Sequence, residues 1–170
     1  MSTNSSRVDF EKRAASYAAQ RSLRLTGGRY GHGIHGIVLE AISQLRRGSS
    51  ALKVFERMDA YVRERDVYLR LRQRGVRQVC GHHVPQLLDF DDELRVIEMT
   101  MVKPPFVLDF AGAWLDAPPD YSPEVLADWE AEKRRQFEDR WPEVAAILQS
   151  FHQYGIYISD VNPGNIRFRE

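Results

Sequence analysis

The chain has 170 residues, about one domain with room for a real core. Hydrophobic residues at 43% and charged residues at 28% exclude a disordered chain, and 24 basic against 24 acidic residues leave no global field for nucleic acid or an anionic membrane. One cysteine, Cys80, excludes an internal disulfide, and neither a signal-peptide core nor a run of roughly 20 apolar residues is present, so a cytoplasmic location without a membrane partner is expected.

In chain order, "VDFEKRAASYAAQ" predicts a short helix with Phe10, Ala14 and Tyr17 near one face. From Leu23 to Phe55 the glycines and β-branched residues predict strands joined by turns, although "IVLEAISQL" taken alone also fits a helix. Residues 56–75 read as a helix with Met58, Val62 and Leu69 as its recurring apolar positions and Gly75 as its stop. "QLLDF" and "LRVIEMTM" predict a hairpin, and the prolines of "DAPPDYSP" predict a linker or lid. Ser122 and Pro123 start a helix expected to run to about Arg140, and Pro142 opens another that Gly155 ends.

Several of these segments carry chemistry. Gly31, Gly33, Gly36 and Val38 spell G-x-G-x-x-G-x-V, a spacing that lets backbone N–H groups approach phosphate but also arises in turns that touch nothing. A dinucleotide-binding turn is the rival, with Glu56 as its acid, but no parallel sheet follows. Lys53 sits inside the apolar run "ALKVF", where a charge calls for an anion nearby. Glu64 precedes Val67, Tyr68 and Leu71 by three, four and seven residues, which puts it on their inward face as a partner for Lys53.

Asp160 and Asn165 flank "NPG", a turn that brings a carboxylate and an amide oxygen to one side, suited to a hydroxyl and a metal ion; an Asx-capped turn is the plainer reading. "CGHHVP" reads as a solvated loop, since its spacing matches no zinc site. Trp129, Phe137 and Trp141 read as a core stripe flanked by the solvated "EAEKRR".

These residues, in this order, resemble the protein-kinase-like superfamily, which includes eukaryotic-type protein kinases and the aminoglycoside and choline kinase relatives. The resemblance implies an α+β fold: an N-terminal helical extension over 1–22, an antiparallel-sheet N-lobe with one key helix over 23–103, a linker or clasp over 104–122, and a reduced helical C-lobe over 123–170. It implies ATP and Mg2+ as cofactors. Lys53 would hold the α- and β-phosphates, with Glu64 fixing the lysine beneath the Gly31, Gly33, Gly36 and Val38 hairpin. Adenine would meet the backbone of Glu98, Met99 and Thr100, Asp160 would deprotonate an acceptor hydroxyl, and Asn165 would bind magnesium.

The chain departs from the family pattern at Ile158 and Ser159, where many members have His-Arg or His-Gly, and at Asn162, where protein kinases usually carry lysine. The family's second metal-binding aspartate would lie beyond Glu170, which implies ATP binding with slow or no turnover. The expectation is therefore a kinase acting on an unidentified acceptor, or a pseudokinase that binds a protein partner.

Overall fold

The computed structural model describes residues 3–33, 35–45 and 47–169, with side chains described for residues 8–28, 35–45 and 47–169. The elements are α1 (Thr3–Gln20), β1 (Leu23–Gly33), β2 (Gly36–Ser43), β3 (Ser49–Phe55), α2 (Met58–Gln73), β4 (Gln78–Val79), β5 (His82–His83), β6 (Leu87–Asp91), β7 (Val96–Thr100), β8 (Phe106–Val107), β9 (Ala113–Leu115), α3 (Pro123–Phe137), a 3-10 turn (Glu138–Arg140), α4 (Trp141–His152), β10 (Ile156–Ile158) and β11 (Ile166–Arg167). The chain is α+β and divides into two compact units, Met1–Arg65 with Gln86–Met101, and Asp66–Pro85 with Val102–Glu170. Among the described residues, no helix is long and apolar enough to cross a membrane.

The first unit is an antiparallel sheet in the order β1-β2-β3-β7-β6. Residues 37–43 of "IVLEAISQL" lie in strand β2 because their alternation, not their helical spacing, finds cover: Ile37, Leu39 and Ala41 are buried together with Leu52, Val54 and Val96 against Phe10, Ala14, Tyr17 and Ala18 of α1. Arg13 ties α1 to the sheet by donating to the carbonyls of Phe55 at 2.9 Å and Leu94 at 3.0 Å. At the β6–β7 turn, Asp92 accepts from the Tyr61 hydroxyl and from Arg65, both at 2.7 Å. Those two donors hold the Asp92 carboxyl below its usual range.

Helix α2 follows the macrodipole rule, with Asp59 in its first turn and Arg70 and Arg72 in its last. Its buried stripe is Tyr61, Glu64, Val67, Tyr68 and Leu71, whereas Met58 is half exposed and Val62 and Leu69 are only partly covered. The expected apolar positions thus lie beside the true inward face, which the two tyrosines define.

The second unit holds a small sheet in the order β11-β8-β5-β4, a β10-β9 ribbon and helices α3 and α4. Phe110 packs edge-on to Tyr68 at 5.3 Å between ring centroids and tilts against Phe151 at 5.7 Å, and Val144, Ile147 and Leu148 of α4 extend the same buried layer. Helix α3 begins as expected, with Ser122 Oγ accepting from the Val125 N–H at 3.4 Å, but ends at Phe137 in the 3-10 turn. Two expectations change here. "CGHHVP" is not a solvated loop throughout, because it forms the β4–β5 pair with His82 buried; and Lys133 of "EAEKRR" is buried rather than solvated, donating to Gln136 at 3.2 Å.

Sheet closure in the first unit depends on one missing side chain. Gly36 has φ +150°, and a Cβ there would lie 1.9 Å from the Val54 carbonyl oxygen, a backbone atom that cannot step aside. Gly36→Ala is expected to cost about 3 kcal/mol or more, measured as a lowered urea midpoint; a midpoint within error of wild type would contradict the close approach.

Candidate functional site

The register of the first sheet places five of the sequence-selected positions, Gly31, Gly33, Gly36, Val38 and Lys53, in relation to one another. Val38 pairs with Gly31 on β1 and with Lys53 on β3, and Lys53 in turn pairs with Ile97 on β7. Directly opposed residues share a face, so Val38, Lys53 and the fully buried Ile97 form one row. Gly33 and Gly36 pair where β1 turns into β2.

Lys53 is buried among these neighbours, and its ammonium donates to Glu64 Oε2 at 2.6 Å. Glu64 is 1% exposed, so the pair is desolvated on both sides and neither charge is tenable alone. The Lys53 ammonium also lies 5.0 Å from the centroid of the Phe55 ring, two residues along the same strand face. The sequence spacing that aimed Glu64 inward therefore brings the two charges together.

Glu98, next to Ile97 on β7, pairs with Leu52 and so lies on the opposite face, the one covered by α1. Its Oε2 accepts from the Tyr17 hydroxyl at 3.2 Å, and burial together with this carboxylate pushes the Tyr17 hydroxyl's pKa up. β7 runs between β3 and β6, and the Thr100 N–H is committed to the Gln86 carbonyl at 2.9 Å. The backbone of Glu98, Met99 and Thr100 is thus engaged in the sheet, which is the physical obstacle to its receiving a base edge.

In the second unit, Asp160 and Asn165 sit on the loop between β10 and β11. The turn between them is organised by Asn162, whose Oδ1 accepts from the N–H groups of Gly164 at 2.9 Å and Asn165 at 3.2 Å, while its carbonyl accepts from Asn165 and Ile166. The Asx cap is therefore Asn162, and the half-buried Asp160 carboxylate has no hydrogen-bond or ion-pair partner among the described residues. Asn165 Nδ2 lies 3.5 Å from the Asp160 carbonyl.

Residues outside any motif fix this loop. Ser159 Oγ donates to the Gly112 carbonyl at 2.7 Å, and Trp129 Nε1 donates to the Ser159 carbonyl at 2.9 Å. A Cβ on Gly112 would come within 2.8 Å of Asp160 Cβ, so the backbone of residue 112 lies flat against the aspartate. Below the loop, Arg70 clamps Asp116 at 2.8 and 3.1 Å and donates to the Tyr154 carbonyl at 3.1 Å. Neither Gly112 nor Trp129 stood out in the sequence, where the first was part of an apolar run and the second of a core stripe.

Metal-binding capacity is modest. No group of three or more His, Cys, Asp or Glu residues gathers to hold a metal ion among the described residues. On the 160–165 loop, Asn165 carries an amide oxygen, a ligand type that hard cations accept. No family model matches the chain, and no curated protein or solved structure matches it.

Two measurements test these contacts. Lys53→Met leaves Glu64 buried without its cation and is expected to cost about 3–5 kcal/mol, whereas adding Glu64→Leu should recover most of that loss; a double variant no more stable than the single would mean that the pair is not coupled. Hydrogen bonds from Arg70 hold the Asp116 carboxyl below its usual range. A depressed folded-state pKa contributes stability above the unfolded value and loses it as pH falls through the folded one, so the gap between wild type and Asp116→Asn should narrow below about pH 4. A gap constant down to acid pH would exclude that linkage.

Proposed function

We propose that this chain is a kinase-like protein that binds ATP with magnesium and transfers a phosphoryl group to a hydroxyl acceptor. The observation that carries the reading is the buried Lys53–Glu64 pair at 2.6 Å, joining a strand lysine to a helix glutamate beside the Gly31–Val38 hairpin. Lys53 would hold the α- and β-phosphates, and Glu64 would keep its ammonium in place. Because β7 spends its backbone in the sheet, the adenine edge would be met by the chain that follows Thr100 rather than by Glu98, Met99 and Thr100 themselves.

Asp160 supports the reading from the second unit. A half-buried carboxylate with no partner among the described residues is available to accept a proton, and Ser159, Gly112 and Trp129 supply fixing contacts where Ile158 and Ser159 depart from the His-Arg or His-Gly of many family members. Asn165 would contribute its amide oxygen to magnesium, whose charge would offset that of the phosphates.

Calorimetric titration of ATP with and without magnesium, followed by transfer from γ-labelled ATP, tests the assignment. Saturable binding that magnesium strengthens is expected, with Asp160→Asn binding ATP as wild type does and transferring about a hundredfold more slowly or worse. Absence of ATP binding, selective NAD binding, or a wild-type rate in Asp160→Asn would overturn it. Binding with no transfer by the wild-type chain would assign it instead to the interaction modules that keep the fold without turnover.

A further inference from the structure

Two hydrogen bonds and one close backbone approach converge on the peptide that joins Ser159 to Asp160. A peptide unit is planar, so a donor that holds its carbonyl oxygen also sets the direction in which the next residue's N–H and Cα lie. Trp129 Nε1 donates to the Ser159 carbonyl at 2.9 Å, while Ser159 Oγ donates to the Gly112 carbonyl at 2.7 Å. Gly112 also leaves no space beside the aspartate: a Cβ there would stand 2.8 Å from Asp160 Cβ and 3.5 Å from the Asp160 nitrogen. With the plane held and Asp160 Cβ resting against a backbone, the side-chain torsions are the main freedom left to direct the carboxylate.

The indole that holds this plane comes from a helix with a single seam. Within α3 every residue is exposed except Trp129, Lys133 and Phe137, whose spacing of four puts them on one stripe. Trp141 steadies the Trp129 ring edge-on, with 6.1 Å between the ring centroids. Such packing accounts for the ring. It does not require the indole N–H to meet a carbonyl thirty residues further along the chain, the one whose carbon is bonded to the Asp160 nitrogen.

We propose that Trp129 is the positioning residue of Asp160: its N–H holds the Ser159–Asp160 peptide so that the carboxylate faces the acceptor hydroxyl, and the seating of α3 thereby sets the rate of transfer. The proposal rests on the phosphotransfer reading above. In that step the acceptor oxygen bonds to the γ-phosphorus, its proton passes to Asp160, and the bond from phosphorus to the departing ADP oxygen breaks. Trp129 exchanges no atom or proton and acts through the backbone alone. Loss of its N–H therefore falls on the rate, where a small displacement of a catalytic group is felt strongly, and leaves ATP affinity as it was.

The test removes the N–H and keeps a ring. Benzothienylalanine at position 129 puts sulfur where the indole N–H stands, and Trp129→Phe is the encoded counterpart. Turnover of γ-labelled ATP, with water as the acceptor, is expected to fall about tenfold or more in both at saturating nucleotide. Calorimetric affinity for ATP with magnesium should match the wild-type value.

Nitrogen-15 relaxation reads the placement without any reaction. The Asp160 amide is expected to be rigid in the wild-type chain, with an order parameter of about 0.85, and to drop toward about 0.6 in both variants while the amides of α4 stay unchanged. An Asp160 amide as rigid in the benzothienylalanine chain as in wild type would overturn the proposal. So would wild-type turnover in that chain, or a loss of ATP affinity as large as the loss of rate. A wild-type chain that binds ATP and turns none over counts against the phosphotransfer reading alone, and relaxation at Asp160 then decides whether Trp129 holds it.

Discussion

A lysine and a glutamate that cannot be buried apart govern the architecture of the first unit. Lys53 lies on a strand flanked by β2 on one side and β7 on the other, inside a run that is otherwise apolar, and the Glu64 carboxylate at 2.6 Å offsets the cost of burying its charge there. The glutamate must come from a helix that turns the right stripe inward, so the placement of Tyr61, Val67 and Tyr68 is tied to the same requirement. The strand register is tied to it too. The contact of Gly36 with the Val54 backbone draws β2 onto β3, and from that closeness Val38 falls opposite Lys53.

The parts of the fold that could be read from sequence are those where local chemistry and tertiary demand agree. Ser122 with Pro123 starts α3, and the β6–β7 turn follows an alternating pattern that pairs as a hairpin. Glu64 was legible because helical spacing and the cost of a buried charge pointed the same way. "IVLEAISQL" was ambiguous because its residues satisfy both periods, and only the cover supplied by α1 and the neighbouring strands decides between them. His82 and Lys133 escaped because their burial is imposed by distant segments that no local pattern announces.

The loop bearing Asp160 shows the same division at the scale of a site. Its two prominent residues, Asp160 and Asn165, were visible from their spacing, yet what holds them is a set of unremarkable neighbours. Asn162 closes the turn, Ser159 reaches the Gly112 carbonyl, and Trp129 reaches back from α3 to the Ser159 carbonyl. Two separate stretches of sequence, around Gly112 and Trp129, thus meet the loop through backbone carbonyls. Such contacts leave little trace in local pattern because their partners are backbone carbonyls and N–H groups, which every residue carries.

Tyr17 gives the N-terminal helix a significance that its sequence alone does not suggest. Its hydroxyl meets the Glu98 carboxylate in the middle of β7, while Phe10, Ala14 and Ala18 cover the apolar face around it. A chain cut back to Leu23 would lose a lid and a hydrogen-bond donor together, baring a row of aliphatic side chains with a carboxylate embedded among them. The sheet therefore has two unequal faces, one that carries the paired charges and one that is sealed by its own leading segment. In assembly terms α1 is a structural layer of the first unit, and the smallest self-sufficient version of that unit begins ahead of its first strand.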